Sequence, residues 1–260
     1  MTKSKQQGFT LIELSIVLVI IGLIVGGVLV GQDLIKAAQI RATVAQMEKY
    51  DSAVNAFRGK YNGMPGDLNN PNNFFSSITN DGDNGCGDGD GLIEATATCS
   101  ATASVIATPL PSSFGGENAM FWGQLTLANL IQEASTTTSY SDTLAVSDST
   151  MPAAKMGKAR MNVVASNGLN FYVMASLSGT AAAAVIPTVA YALTPIEAFQ
   201  IDSKKDDGNP ATGTVISVAT GTTAIHTAAN SGGGACYNGT AYNSGSVTGA
   251  QCALSVRTSF

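Results

Sequence analysis

Carboxylates, thiols and a single imidazole are the groups in this chain that could do chemistry, and their spacing is uneven. Asn80–Glu94 reads NDGDNGCGDGDGLIE. Asp81, Asp83, Asp88, Asp90 and Glu94 are hard oxygen donors on a glycine-punctuated loop. Calcium takes such ligands in sets of about six to eight. Asp88-x-Asp90-Gly91-x-Ile93 follows the middle of an EF-hand-like loop, but Cys86 stands where the first Asp would be and Ala97 where the bidentate Glu would be. A calcium ion and a solvated acidic turn are both open readings. Asp202, Asp206 and Asp207 form a second acidic group at the end of a helical segment, where solvent exposure or a cation would offset their clash with the helix dipole. His226 is the only histidine, which excludes any site built on two imidazoles.

The four cysteines are Cys86, Cys99, Cys236 and Cys252. The members of each half are close in sequence with loop-like chain between them, so Cys86–Cys99 and Cys236–Cys252 are the favoured pairs. Each closed loop is worth about 3 kcal/mol in the chain-entropy model. A zinc site on four thiolates is the alternative, but neither half has the short knuckle spacing that zinc sites use.

In the chain that carries these groups, 45% of the residues are hydrophobic and only 12% charged, about half the usual charged share of roughly 25%. That composition builds a core and does not suit a disordered chain. Thirteen Lys and Arg face eighteen Asp and Glu, net −5, and the basic residues are scattered. No basic cluster tracks a phosphate backbone, so no nucleic acid is indicated as a partner. From Lys60 to Lys155 there is no basic residue, while ten acids lie in that stretch.

Phe9–Val30 reads FTLIELSIVLVIIGLIVGGVLV, an apolar run whose one charge is Glu13. A membrane-crossing helix needs about 20 apolar residues. Lys3 and Lys5 precede the run and place its N-terminal side in the cytoplasm. The run is longer than the h-region of a secretory signal, and the helical pattern continues past it. A carboxylate kept inside such a run costs about 2.5–3.5 kcal/mol when central, so Glu13 needs a partner or marks a function. Gly22, Gly26, Gly27 and Gly31 make small-xxx-small pairs. They would allow close helix–helix approach, or reflect the ordinary abundance of glycine in membrane helices.

Gly8-Phe9-Thr10-Leu11-Ile12-Glu13-Leu14 resembles the cleavage and methylation site of type IV prepilins and of type II secretion pseudopilins. The resemblance covers about the first 60 residues. It implies a membrane peptidase, prepilin peptidase, that cuts after Gly8 and methylates the new amine on Phe9. It implies that Glu13 pairs with an N-terminal amine as the subunit joins like subunits and other pilins in a helical filament. It also implies an inner-membrane protein whose outer domain is periplasmic before it enters a pilus or pseudopilus. Many pilins carry a kinking proline late in the span. This chain has Gly26-Gly27 and Val30 there, as pseudopilins that lack the proline do. The Cys236–Cys252 loop resembles the disulfide-bounded surface region of many pilins.

The division expected is a leader over 1–8, a membrane-spanning half-helix over 9–30, an amphipathic half over 31–61 and an outer domain over 62–260. Phe9–Gly59 can be one helix of about 50 residues, near 75 Å long. Ile40, Met47, Val54 and Tyr61, flanked by Val44 and Phe57, form a stripe for the outer domain. A free coiled coil is the runner-up, interrupted by Asp51 and Arg58. Glu117–Ile131 reads as a helix with Phe121, Leu125, Ala128 and Ile131 on one face. Met161–Leu177 reads as a hairpin turning at Asn167-Gly168. Thr194-Pro195-Ile196-Glu197 is a capping box opening a helix to about Lys205. Val215–Ala219 and Cys252–Val256 are short strands. The fold class is α+β, pilin-like: one long N-terminal helix on a small antiparallel sheet, with large disulfide-bounded loops.

The expected function is a structural subunit of a type IV filament. The alternative is a membrane-anchored binding module, a tip adhesin or cargo-binding minor pseudopilin. An enzyme is not expected: there is no G-x-S-x-G, H-E-x-x-H or Walker A pattern. The processing expectation is direct. Intact mass and N-terminal sequencing of the purified protein should show a chain starting at a methylated Phe9. A mature N-terminus beyond Val30 would contradict it.

Overall fold

The computed structural model describes residues 8–78, 87–93, 116–132, 135, 149–156, 159–176, 191–218, 235–245 and 249–260. Helix α1 runs over Leu11–Tyr61, 51 residues without a break. It starts two residues later than expected because Thr10, not Phe9, is the N-cap. It ends two residues later because Gly59 is accommodated inside the helix and Asn62 provides the left-handed stop at φ 55°.

The helix is divided by its surroundings, not by its backbone. Nearly every side chain from Leu11 to Gln39 is exposed. Burial begins at Ile40 and continues through Met47, Tyr50, Val54 and Phe57, with Val44 and Tyr61 partly covered. The expected stripe is therefore present, and it packs on the outer domain and is not free to form a coiled coil. The stripe also buries Thr43, Gln46 and Asp51, which no apolar periodicity announces. Gln46 Nε2 donates to Tyr50 Oη at 2.7 Å and to the Ala153 carbonyl at 3.0 Å.

Helix α2 covers Gly116–Leu127. It stops short of Ile131, and Asn129 turns left-handed at φ 57° just beyond it. Its expected single apolar face is not how it packs: every residue from Gly116 to Leu125 is buried. A helix surrounded on all sides has no wet face for periodicity to mark. Trp122 stacks edge-on to Tyr50 at 5.0 Å and to Phe121 at 4.9 Å.

The sheet consists of β1 (Arg160–Ser166), β2 (Leu169–Ala175), β3 (Val215–Val218) and β4 (Ala253–Arg257), all antiparallel, in the order β1-β2-β4-β3. Asn167 and Gly168 take φ 50° and 74° in the β1–β2 turn, which suits the right-handed twist of the strands. Alternation along the strands sends Val163, Tyr172, Met174, Leu254 and Val256 to the main core and Val164, Phe171, Val173 and Ala253 to a smaller cluster. Helix α3 (Pro195–Lys205) packs against α1 and β3, opened by the Thr194–Glu197 capping box. Its N–H and hydroxyl geometry is reciprocal: Thr194 N donates to Glu197 Oε2 at 2.8 Å and Glu197 N to Thr194 Oγ1 at 3.3 Å.

The turn after α1 sits against α2 with no room to spare. Gly66 has φ +89°, and a Cβ there would lie 2.4 Å from the Glu117 carbonyl oxygen and 3.0 Å from Phe121 N. Gly66 N donates to Gln124 Oε1 at 2.7 Å. Gly66→Ala should therefore lower stability by about 2 kcal/mol or more. Gly59→Ala, in the open flank of α1 with nothing within 4 Å of the added Cβ, should be neutral or stabilising by up to about 1 kcal/mol. Chemical denaturation of the two variants checks the opposite signs.

Candidate functional site

The N-terminal motif lies at the start of α1, where the chain passes from extended backbone into helix. Gly8 and Phe9 precede the N-cap and are exposed, Phe9 to 92%. The Gly8–Phe9 peptide bond is thus outside the helix and accessible. Thr10 and Glu13 close a capping box of their own, on a Thr-x-x-Glu spacing. Glu13 Oε2 accepts from Thr10 N at 2.8 Å and Thr10 Oγ1 at 2.7 Å, while Glu13 N donates to Thr10 Oγ1 at 3.3 Å. Both Thr10 donors go to one carboxylate oxygen. Among the described residues Oε1 accepts no hydrogen bond, and Glu13 is exposed. A carboxylate at a helix N-terminus is also favoured by the helix dipole. The arrangement holds a charged acceptor in place with one oxygen left for a cation such as an ammonium.

Beyond it, the apolar residues from Leu14 to Ile35 stand at 50% exposure or more, with Leu23 at 73% and Leu34 at 67%. This helix is long and apolar enough to cross a membrane. A Cβ added at Gly22, Gly26, Gly27 or Gly31 would meet nothing within 4 Å. Among the described residues no contact explains the four glycines.

The Cys236–Cys252 disulfide is formed, with Cα atoms 5.1 Å apart. It joins the start of a turn to the residue preceding β4. Tyr237 bridges Tyr242 across that turn, and Leu193 bridges Cys252. Cys86 and Cys99 lie outside the described residues, as do Asp81, Asp83, Glu94 and His226.

Of the expected acidic loop, Asp88 and Asp90 are described. Each closes a local turn: Asp90 N donates to Asp88 Oδ1 at 3.1 Å and Leu92 N to Asp90 Oδ1 at 2.7 Å. The organising carboxylate is one that the loop motif did not include. Asp67, 1% exposed, accepts from Gly89 N at 2.6 Å and Gly91 N at 2.7 Å. Asp67, Asp88 and Glu117 bring carboxylate oxygens within 4.8 Å of one another. These three are an oxygen-only donor set of the kind hard cations use, about half of what calcium takes.

In the second acidic group Asp207 is exposed, as expected, and Asp206 is half-buried, but Asp202 departs from that expectation. Asp202 is fully buried and accepts from Tyr242 Oη at 2.9 Å and Gly208 N at 3.1 Å. Asp206 accepts from Thr214 N and Val215 N, and Asp207 from Asn209 N and Thr212 Oγ1, both at 2.8 Å. The three carboxylates fold the α3–β3 connection by holding its backbone donors.

Burial pushes the Asp67 and Asp202 carboxyls up to about 6, against the donated hydrogen bonds that pull them down and with added repulsion from Asp88 and Asp90 or from Asp207 and Asp206. Asp207, exposed and bonded by Asn209 N and Thr212, is held below its ordinary value. An acid raised in the folded state binds protons more tightly there than in the unfolded chain. Its stabilising contribution is complete below the unfolded value of 3.8 and is lost as pH rises through about 6. The unfolding temperature should therefore rise as pH falls from 7 to 5, and Asp67→Asn and Asp202→Asn should each flatten that rise. Thermal melts across the range check this; a profile that falls toward pH 5 would contradict it.

Neither a curated protein nor a solved structure matches the chain. Residues 3–29 match the family model of the prokaryotic N-terminal methylation motif. That segment includes Gly8, Phe9, Thr10, Glu13, Gly22, Gly26 and Gly27. Such a motif implies processing by prepilin peptidase and assembly with other pilins. With the motif set on an exposed apolar helix that leads into an α+β domain, the chain is supported as a type IV pilin-like prepilin.

Proposed function

We propose that this protein is a structural subunit of a type IV filament, a pilus or pseudopilus, processed by prepilin peptidase at Gly8–Phe9, held in the inner membrane and then polymerised. The carrying observation is that the methylation motif coincides with a half-helix that has no partner among the described residues. That half-helix suits two successive environments. In the membrane its side chains meet lipid, with the N-terminus cytoplasmic and the outer domain periplasmic. In a filament they meet the same half-helix of neighbouring subunits, and Gly22, Gly26, Gly27 and Gly31 are the places where such helices could approach closely. The reading assigns no catalysis to the chain.

Cleavage before Phe9 would create an ammonium next to Thr10, one turn from Glu13. The unoccupied Oε1 is the acceptor this reading assigns to the amine of an adjacent subunit. In a low-dielectric bundle the pair attracts strongly, and losing one partner costs about 3–5 kcal/mol. Each 1.4 kcal/mol or so is a tenfold change in an equilibrium, so the penalty is ample to bias assembly.

Glu13→Gln should leave a cleaved chain in the membrane fraction but abolish sheared surface filaments or, for a pseudopilus, secretion of cargo. The variant keeps a side-chain acceptor for the Thr10 cap while removing the charge, so helix formation should survive. Normal filaments and normal secretion with Glu13→Gln as the sole copy would remove the assembly role from this residue.

A further inference from the structure

A polar cleft lies at the other end of α1 from the processing motif, beside the Gly89–Gly91 turn that Asp67 holds. It has a volume of about 740 Å³ and lies between the last turns of α1, the turn that follows, the Asn69–Phe74 segment and Gly89–Gly91. That size is within the roughly 300–1,000 Å³ of ligand sites, but the lining is unlike the apolar wall of most of them. It is built from amides. Asn62, Asn69, Asn70 and Asn73 are exposed and line it, with Arg58 on the helix side and Asp90 opposite.

Asparagine in loops usually serves the loop by bonding its own backbone two residues on. Here the amides do not. Among the described residues the side chains of Asn62, Asn69, Asn70 and Asn73 make no hydrogen bond. Asn70 stands at the N-cap of the short 3₁₀ turn Pro71–Asn73 without capping it. Arg58 likewise forms no ion pair among the described residues. Each amide presents a paired donor and acceptor to solvent, and a hydroxyl group is also both donor and acceptor.

An aromatic face completes the cleft. Phe74 is 52% exposed, an uncommon exposure for phenylalanine outside the apolar half of α1. It is held edge-on to Tyr61 at 5.3 Å, and Tyr61 packs on Phe57 at 4.5 Å and Phe75 at 5.0 Å, both buried. The ring is thereby fixed from behind with its surface outward. A rigid aromatic face beside unspent amides matches a ligand with one apolar ring face and a rim of hydroxyls. Asp67 also lines the cleft, but it is buried and both its oxygens accept from Gly89 N and Gly91 N, so the charges exposed at the rim are the Arg58 guanidinium and the Asp90 carboxylate, a pair of opposite sign that does not favour a phosphate.

We propose that this cleft binds a neutral oligosaccharide, its pyranose face on Phe74 and its hydroxyls on the amides and Arg58. The site is independent of the filament reading, since its residues lie about 70 Å along α1 from Glu13. The test uses the full chain in micelles of a detergent without a sugar headgroup. Maltotriose, chitotriose, lactose and sialyllactose are screened by saturation-transfer NMR and titrated calorimetrically, with inorganic phosphate as the charged comparison. At least one neutral sugar should bind, and Phe74→Ala, Asn69→Ala and Asn73→Ala should each weaken it by about tenfold. Phe199→Ala, an exposed aromatic on α3, should leave binding unchanged. All four side chains are exposed, and near-UV circular dichroism identifies any variant that loses its fold, so that the remaining variants decide. No binding of any neutral sugar, tighter binding of phosphate or of sialyllactose, or undiminished binding in the folded cleft variants would overturn the proposal. So would loss of filaments in Phe74→Ala without sugar binding, which would make the cleft a seat for a neighbouring subunit.

Discussion

Helix α1 is one continuous element with two incompatible surroundings, and the rest of the molecule follows from that. Its second half buries Met47, Tyr50, Val54 and Phe57 in the core and so fixes the direction of the whole rod. Its first half then projects away with side chains such as Ile12, Leu18 and Leu23 more than 60% exposed. Water penalises that surface at about 25 cal/mol per Å² of apolar area. No segment of the described chain folds back to cover it. Lipid or other apolar helices would relieve that penalty. The single charge of the Phe9–Val30 run, Glu13, is already organised by Thr10 at the helix start.

The outer domain solves a different problem. Its loops are rich in Gly, Asn, Ser and Thr and offer little apolar surface. They are tied down by carboxylates that each accept two donors. Asp51 takes the Tyr172 hydroxyl at 2.9 Å and the Ser259 hydroxyl at 2.7 Å, joining α1, β2 and the residues after β4. Asp67 gathers the Gly89–Gly91 turn, and Asp202 joins α3 to Tyr242 beside the disulfide. Burial of such groups costs energy that their hydrogen bonds return only in part. The raised Asp67 and Asp202 carboxyls reflect that balance, as does the Tyr172 hydroxyl, held well above its usual range mainly by burial and by the adjacent Asp51 charge.

Local rules read well wherever one short segment decides its own conformation. The Asn167-Gly168 turn, the Thr194–Glu197 cap with Pro195 at the first helical position, and the Ile40–Phe57 stripe were all legible because the relevant partners lie within a few residues or on one helical face. Gly59 was misleading as a stop because a glycine at an open helix flank costs only about 1 kcal/mol, less than the packing on either side of it supplies. The all-round burial of α2 was illegible because periodicity marks a helix with one wet side. Among the site residues, Glu13 was evident from its isolation in an apolar run. Asp67 was not, because its role is defined by amides more than twenty positions away.

By itself, then, the sequence determined the long apolar helix, the processing motif at its head, the α+β composition and the proximity of Cys236 to Cys252, because each is written in contiguous or short-range residue order. The tertiary structure decided the strand order β1-β2-β4-β3, the point at Ile40 where α1 passes from exposed to packed, the buried roles of Asp51, Asp67 and Asp202, and the gathering of Arg58, Asn69, Asn73 and Phe74 around one cleft. The physical reason is the same in each case. Hydrogen bonds and burial act between whichever groups the chain brings within a few ångströms, and for these residues that proximity is created only when α1, the sheet and the loops close on one another.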